Sequence, residues 1–368
     1  MDVASARYNM SAATNDHNKP VEDPFQDRRS DYDVTNTVKV SSPAKVRRAV
    51  CSIFASLYPN ASTDPIWLAF YDFERFFYGR SPQYHAVDTT YHDVQHTLDM
   101  TLAAARLIAG YENSVDAKDK LGPKRAMLGI VCSLYHDFGY LRHKVRDSAI
   151  SHGAEFTRSH VSRSGRFLES YLPTLGLAEF VPVVARITHF TGYEIKAEEI
   201  ELDDPHDSAV GHLIGTADLL AQMSDRCYLE KCRDRLYPEF VIGSVAFEKT
   251  NDSLTINYSS GQDLLAKTLM FYKGSAKTRL DHTFNRAYRY MEVYFEDGEN
   301  PYMHFINKNL QFLRAVIETN GWDRLRRNPP CEMPDPEGPS KVMAFARARL
   351  EDANVSKVST QQPVISSA

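Results

Sequence analysis

Residues 89–108 read TTYHDVQHTLDMTLAAARLI and combine apolar residues at helical spacing with several ionisable side chains, of which His92, His96 and Asp99 have the spacing of one helical face. His92 and His96 are four residues apart, and Asp99 follows three residues after His96. At 3.6 residues per turn, these three side chains share one face of a helix. The segment therefore predicts a helix, capped by Thr90, that presents ionisable groups to one common surface.

Helical spacing extends over most of the chain, so the predicted fold class is all-α, a helical bundle. One stretch, 240–258, alternates apolar and polar residues around Asn251-Asp252 and predicts a small surface β-hairpin. The other predicted helices are 44–57, 64–77, 124–137, 158–171, 180–188, 208–232, 262–272, 279–294 and 303–319.

Composition divides the chain into three parts. Residues 1–42 are rich in Asp, Asn, Ser and Thr. They predict a disordered N-terminal arm, because too little apolar surface is present to offset the entropy of ordering. Residues 43–325 carry the helical pattern and form one predicted catalytic domain. Residues 326–368 begin with a proline-rich stretch and predict a C-terminal tail, with a short helix at 340–352 that either docks on the body or stays free.

Charge and hydropathy narrow the class of partner. Forty-three Lys and Arg against 48 Asp and Glu give a net charge of -5, so the chain lacks the basic surplus of a nucleic-acid binder. The longest apolar run, 127–135, is about half the roughly 20 residues that a bilayer span needs. Five cysteines without a CxxC spacing predict reduced thiols. We therefore expect a cytoplasmic protein that acts on a small molecule, with no membrane or nucleic-acid partner and an oligomeric state that stays open.

Ionisable side chains also lie inside apolar segments further along the chain. A His136-Asp137 pair ends the apolar helix of VCSLYHDFGY (131–140), and Asp218 is flanked by alanine and leucine in HLIGTADLLAQM (212–223). Burial of such groups is costly unless they are paired, and imidazole and carboxylate can both coordinate a cation. This pattern indicates a metal centre.

His96, His136-Asp137 and Asp218 occur in the order H...HD...D, which resembles the signature of HD-domain metal-dependent phosphohydrolases. The string YHDVQH, which ends at His96, also resembles the YHN-x-x-H opening of cyclic-nucleotide phosphodiesterase catalytic domains. The resemblance covers residues 91–232. It implies an HD-domain helical bundle and a phosphohydrolase that cleaves a phosphoester, with a phosphodiester in a nucleotide-like small molecule as the favoured substrate.

The resemblance also implies a centre of two divalent cations, which can be Mn, Mg, Zn or Fe. It assigns the first cation to His96, His136, Asp137 and Asp218, and the second to His160 and His189, with Asp137 as the bridging carboxylate. His92, one turn before His96, is the predicted general acid, since an imidazolium has a pKa near physiological pH. Asp137 counts as catalytic because it sets the separation of the cations. Asp93 or Asp99 is expected to orient one of the rings.

The residues associated with substrate identity differ from those of the families that the sequence resembles. Tyr140 stands where animal-type phosphodiesterases have a histidine, and the GYP tripeptide of the bacterial cyclic-di-GMP branch does not occur. Candidate substrate-binding residues are Lys144, in the basic run after the His-Asp pair, and the two glutamines Gln222 and Gln262.

Two other functions fit the same residues. Some HD-fold proteins with this six-ligand set hold a mixed-valent di-iron centre and oxidise C–H bonds, so the chain is alternatively a di-iron oxygenase. Ligand type does not separate that function from hydrolysis, since imidazole and carboxylate suit Fe, Mn, Zn and, more weakly, Mg. The third interpretation is a non-catalytic nucleotide-binding regulatory module, against which the complete ligand set argues.

Overall fold

The computed structural model describes residues 28–249, 253–295, 298–331 and 333–353. It confirms an all-α fold with one small hairpin. The helices are α1 (Pro43–Leu57), α2 (Asp64–Phe77), α3 (Val94–Ser114), α4 (Gly122–Tyr135), α5 (His160–Tyr171), α6 (Val181–Thr188), α7 (Pro205–Ser224), α8 (Tyr228–Lys231), α9 (Tyr237–Ile242), α10 (Gly261–Phe271), α11 (Tyr290–Tyr294), α12 (Pro301–Glu318) and α13 (Gly338–Asp352). The strands are β1 (Phe247–Lys249) and β2 (Leu254–Ile256), which pair antiparallel.

Helix α3 lies at the centre of the bundle. It is buried from Val94 to Glu112, as expected of a helix with apolar and small residues on every side. It packs against α1, α4, α7 and α11, and one contiguous hydrophobic core extends from Val34 to Leu325. Within the described ranges, no helix has both the length and the apolar composition that crossing a bilayer requires.

A smaller second core forms where α13 packs against α9 and the hairpin. Its buried residues are Ala154, Val241, Ile242, Ala246, Phe247, Val342, Ala346 and Ala353. Arg349 of α13 also forms an ion pair of 2.9 Å with Glu155, which connects the helix to the body of the protein. The C-terminal helix therefore docks on the body, and it covers α9.

The prediction of a disordered N-terminal arm is wrong for residues 28–42, whereas residues 1–27 lie outside the described residues. Val34 is fully buried, and Asp33 forms an ion pair of 2.8 Å with Arg106 inside the core. Composition misses this segment because one buried ion pair and two buried valines, Val34 and Val40, anchor an otherwise polar stretch.

The start of α3 also differs from the prediction. The helix begins at Val94, because the carboxylate of Asp93 caps it by accepting a hydrogen bond of 2.9 Å from the backbone N–H of His96. Thr90 is therefore not the cap. His92 lies in the loop before the helix and does not share the helical face predicted for it.

Two other predicted helices are interrupted. The segment 208–232 breaks at Asp225, whose carboxylate accepts a hydrogen bond from the backbone two residues further on. The segment 279–294 breaks at Asn285 and Arg286, which both have positive φ. Local side-chain and backbone geometry ends these helices where apolar periodicity alone continues them.

The hairpin is confirmed, but it is shorter than the alternating pattern. Phe247 pairs with Ile256, whereas Phe240 belongs to α9. Phe247 is also buried in the second core, so one face of the hairpin is covered. The predicted turn residues Asn251 and Asp252 lie outside the described residues.

Candidate metal centre

Three helices bring ionisable side chains to one buried point. His96 lies in the first turn of α3, His136 and Asp137 directly follow α4, and Asp218 lies in α7. The Nε2 atoms of His96 and His136 lie 3.4 and 3.1 Å from Asp137 Oδ2, and 3.4 and 3.9 Å from Asp218 Oδ1. Ligand atoms of His96, His136 and Asp137 all lie within 4.8 Å of one another. This buried cluster can hold a metal ion.

Backbone hydrogen bonds set the orientation of two imidazoles. His136 Nδ1 lies 2.8 Å from the carbonyl oxygen of Ser133, and His160 Nδ1 lies 2.8 Å from that of Thr157. A carbonyl only accepts, so in the neutral rings Nδ1 carries the proton and Nε2 keeps its lone pair. The two Nε2 atoms lie 3.1 and 3.6 Å from oxygens of Asp137. This is the arrangement typical of metal-binding histidines.

Asp137 carries the charge of the cluster. It is buried, and its Oδ2 accepts no hydrogen bond from the described residues. Burial alone raises the pKa of this carboxyl, but the imidazoles of His136, His92 and His96 hold the pKa well below its usual range. An ionised, buried oxygen without a donor needs a positive partner. The residues present therefore fit a divalent cation bound by imidazole and carboxylate.

The six predicted ligands do not all converge. His160 Nε2 lies 3.6 Å from Oδ1 of Asp137, the second oxygen of that carboxylate. His189, however, lies in a tight turn after α6 with its Nε2 3.4 Å from Ser162 Oγ, and it is not among the residues that line the cavity described below. Even spacing along the sequence favours His189, but spacing does not fix the direction of a ring beyond a helix end.

Glu239 of α9 is a site residue that the sequence interpretation missed. Its Oε2 lies 2.6 Å from His92 Nδ1, and its Oε1 accepts hydrogen bonds of 2.5 and 2.6 Å from the backbone N–H groups of Thr90 and Tyr91. The carboxylate is completely buried. The only sequence signal was an acid next to the apolar run Phe240 to Ile242, and nothing in the sequence connected it with a residue 147 positions earlier.

The contact with Glu239 changes the protonation of His92. Burial lowers the pKa of this imidazole, but the carboxylates of Glu239, Asp137 and Asp218 more than offset burial, so the pKa is raised above its ordinary value. Since a carboxylate only accepts, His92 directs Nδ1–H towards Glu239. His92 thus retains a proton to higher pH than a free histidine does.

Stacked rings connect His92 to His160. The ring of Tyr140 stacks on both, with ring centroids 4.5 Å from His92 and 4.4 Å from His160 and interplanar angles of 21° and 19°. Tyr140 is the residue that stands where animal-type phosphodiesterases, which the sequence resembles, have a histidine. Here its ring packs against two imidazoles next to the metal cluster, and these imidazoles are tilted by 39° with centroids 5.9 Å apart.

The metal cluster and His92 line one cavity of about 550 Å³. His92, His96, His136, Asp137, His160 and Asp218 line it together with Gln222. The Oε1 of Gln222 accepts a hydrogen bond of 3.2 Å from the hydroxyl of Tyr91. Of the three predicted substrate-binding residues, Gln222 is therefore placed at the site.

The other two predicted substrate-binding residues lie elsewhere. Lys144 Nζ donates a hydrogen bond of 2.9 Å to the carbonyl oxygen of Ser81, and Gln262 is exposed on α10. Neither residue lines the cavity. A basic run in a loop and an isolated glutamine carry no information about which way their side chains point.

Asp93 and Asp99 do not hydrogen bond to an imidazole ring among the described residues. Asp93 caps α3 and lies 3.6 Å from Arg235 Nη1. Asp99 lies in a separate buried charged cluster, where burial and the carboxylates of Asp225 and Asp33 raise its pKa to about 8. The predicted orienting role belongs instead to Glu239 and to the backbone carbonyls.

Comparison with known proteins identifies a family for the chain but gives no information about its activity. A family model described as Npun_R2479-like matches residues 82–300, more than half of the chain, and the match contains every residue of the metal cluster as well as His92 and Glu239. Neither a curated protein nor a solved structure matches the chain significantly.

Proposed function

The chain belongs to the Npun_R2479-like family, and because that description names no reaction, we propose from the site itself that the protein is a metal-dependent phosphohydrolase that cleaves a phosphodiester. The resemblance of the H...HD...D order to HD-domain phosphohydrolases supports the same proposal.

One observation carries it. The cluster of His96, His136, Asp137 and Asp218 shares a cavity with His92, a histidine whose pKa a buried carboxylate raises. A cation site next to a proton donor is the combination that hydrolysis of an ester with a poor leaving group requires.

In this proposal the cluster holds two divalent cations, of Mn, Mg, Zn or Fe. The first is held by His96, His136, Asp137 and Asp218, and the second by His160 with the other oxygen of Asp137. Bound divalent cations acidify a water molecule and neutralise negative charge that develops on phosphoryl oxygens. Asp137 would contribute to holding both cations, because its two oxygens approach different imidazoles.

His92 acts as the general acid. Glu239 accepts from Nδ1–H, so the proton at Nε2 is the one that His92 gives to the departing oxygen. The same glutamate binds the backbone of Thr90 and Tyr91, which fixes the loop that carries the ring. Tyr140, stacked against His92, restricts rotation of the ring.

The test separates hydrolysis from the two alternatives. Purified protein loaded with Mn²⁺ is incubated anaerobically with bis(4-nitrophenyl) phosphate in water enriched in ¹⁸O, and the product phosphate monoester is analysed by mass spectrometry. We expect turnover with one ¹⁸O atom in the monoester. Turnover of an organic substrate only with iron and O2 would establish the di-iron oxygenase instead, and phosphoester binding without turnover under any metal would establish a regulatory module.

A further inference from the structure

The cavity extends well beyond the metal cluster into a region that the proposed chemistry does not use. We call this region the distal wall. It consists of Tyr228, Leu236, Phe240, Val245, Tyr258, Leu264 and Phe271. A volume of about 550 Å³ lies in the range that holds drug-sized ligands, so a phosphate and its cations fill only part of it.

The polar side chains next to the distal wall already have partners within the protein. Asn257 Nδ2 donates a hydrogen bond of 3.0 Å to the carbonyl oxygen of Val245, and the hydroxyl of Thr268 donates one of 3.0 Å to that of Leu264. From the amide side chains that line the cavity, the nitrogen of Gln222, whose oxygen is engaged by a tyrosine, and the oxygen of Asn257 stay available to a ligand. Few side chains near the distal wall are therefore available to hydrogen bond to a polar substituent of a ligand.

The lysine and arginine that line the cavity are neutralised locally. Lys267 Nζ lies 3.0 Å from Asp263 Oδ2 and donates to the carbonyl oxygen of Asn257 at 2.7 Å. Arg158 pairs with Glu248 and donates to the carbonyl oxygen of a neighbouring loop. Both cations are already paired with carboxylates, so the cavity favours a ligand with a single phosphate at the metal cluster.

Two aromatic residues of the cavity lining have exposed apolar neighbours along the chain. We call Tyr193, Ile195, Met270 and Phe271 the apolar collar. Tyr193 and Phe271 line the cavity, with ring centroids 6.0 Å apart, yet Tyr193 is 57% exposed and Met270 is 69% exposed. An exposed apolar group continuous with a binding cavity is typical of a surface that a ligand covers.

We propose that the substrate is a monophosphate diester with a long apolar substituent, which lies along the distal wall and leaves the cavity across the apolar collar. This inference rests on the proposed function and narrows its substrate class. It differs from the nucleotide-like expectation because a nucleoside brings hydroxyl and base edges that need hydrogen-bond partners, whereas an alkyl or aryl chain needs only the surface that the distal wall provides.

The first experiment measures binding and does not depend on turnover. Full-length protein loaded with Mn²⁺ is titrated with n-octylphosphonate and with methylphosphonate by isothermal calorimetry. Each buried methylene contributes about fourfold in affinity. Burial of about half of the extra chain therefore predicts a Kd for octylphosphonate at least about 100-fold lower. A difference below about threefold would overturn the inference, even if the protein hydrolyses phosphodiesters.

Matched tyrosine variants test whether the alkyl chain of the ligand contacts the apolar collar. Tyr193 and Tyr71 are both 57% exposed, but Tyr71 lies on α2 and does not line the cavity. We expect Tyr193→Ser to weaken octylphosphonate binding by about tenfold relative to methylphosphonate. Tyr71→Ser should leave that ratio unchanged. Equal effects of the two variants would remove the collar from the proposal.

Turnover then separates this inference from the proposed function. The substrates are the octyl and methyl esters of 4-nitrophenyl phosphate and thymidine 5′-(4-nitrophenyl phosphate), which share one leaving group. We expect kcat/KM to be highest for the octyl ester. A preference for the thymidine ester would restore a nucleotide substrate and overturn the inference. Tight octylphosphonate binding without turnover of any ester would overturn the hydrolase and leave the apolar binding site in place.

Discussion

The residues of the proposed catalytic site form two groups, the metal half and the acid half, which come from different kinds of structural element. The metal half comprises His96, His136, Asp137 and Asp218, which come from the long helices α3 and α7 and from the end of α4. The acid half comprises His92, in a loop, and Glu239, on the short helix α9. The metal half lies against the main hydrophobic core, whereas α9 is covered by the second core, which α13 completes.

The difference shows that long, packed helices fix the positions of the metal-binding residues, whereas the acid half depends on a shorter element. A ligand on a long, packed helix is held by many neighbours, so its position follows from the fold as a whole. The partner of His92 comes from a six-residue helix, which packs most extensively against α13 and also against α10 and residues 153–156 and 232–236. We therefore expect perturbations of the two halves to have separable effects on metal binding and on proton transfer.

The largest expected effect comes from the metal half. Asp137→Ala removes the carboxylate that approaches three imidazoles, so we expect metal affinity to fall by more than about 100-fold, beyond the loss caused by removing an outer partner. Metal content measured by mass spectrometry checks this. Asp99→Asn is the matched control, because Asp99 lies on α3 outside the cluster and should leave metal content unchanged. Full metal content in Asp137→Ala would exclude Asp137 as a ligand.

The acid half predicts a smaller loss that depends on the leaving group. His92→Ala should reduce kcat by about 100-fold or more for a diester with an alkyl leaving group, and much less for a nitrophenyl ester, whose leaving group departs without a proton. Metal content should stay normal. Glu239→Gln keeps an oxygen for the N–H groups of Thr90 and Tyr91 but presents an amide to His92, so it should reproduce part of this pattern. Equal losses on both esters would give His92 a binding role.

The pH dependence of the alkyl ester should report the acid half directly. The general acid must be protonated, and the folded protein raises the pKa of His92, so kcat/KM falls only as pH rises through that raised value. Glu239→Gln removes the principal cause of the raised pKa, while the carboxylates of Asp137 and Asp218 stay in place. The alkaline limb should therefore move to lower pH. The nitrophenyl ester is the internal control, and a similar movement there would contradict the assignment.

A substitution in the second core should reach the acid half alone. Val342→Ala on α13 removes two buried methyl groups, with a local cost of about 2 kcal/mol. Hydrogen exchange in residues 237–242 should become faster, and turnover of the alkyl ester should fall while metal content does not change. Met343→Ala, on the same helix but 47% exposed, is the control. Unchanged exchange in Val342→Ala would show that α9 is positioned without α13.

The smallest effects are expected at two residues that the sequence placed at the substrate and the structure does not. Lys144→Ala and Gln262→Ala should each change kcat/KM by less than about twofold, since both side chains lie outside the cavity lining. Kinetics on the octyl and methyl esters check this. A tenfold loss in either variant would mean that the substrate extends to surfaces beyond the cavity.

The sequence predicted what helical periodicity encodes. The all-α fold follows from helical periodicity, and ionisable residues within apolar helices indicated a metal centre. That His96, His136, Asp137 and Asp218 share it was implied by the resemblance of their order to that of HD-domain phosphohydrolases. The start of α3 was predicted incorrectly because the competition between Thr90 and Asp93 as cap depends on which hydroxyl or carboxylate reaches the helix N–H groups.

Residues that act across long sequence distances were not predictable in the same way. Glu239 reaches His92 only after α9 docks, and the pairing of Asp33 with Arg106 orders a segment that composition assigned to a disordered arm. The direction of His189 depends on a turn beyond α6. In each case tertiary contacts decide a position on which local sequence is silent.

The docking of α13 on α9 also has a consequence for biosynthesis. The residues of the metal half lie between positions 96 and 218, so a growing polypeptide presents them well before α13 leaves the ribosome. Because chains begin to fold from the N-terminal side during synthesis, a nascent chain can assemble the metal half first. The second core that holds α9 closes only when residues 338–352 have emerged. Proton transfer would then be the last capability that each new molecule acquires.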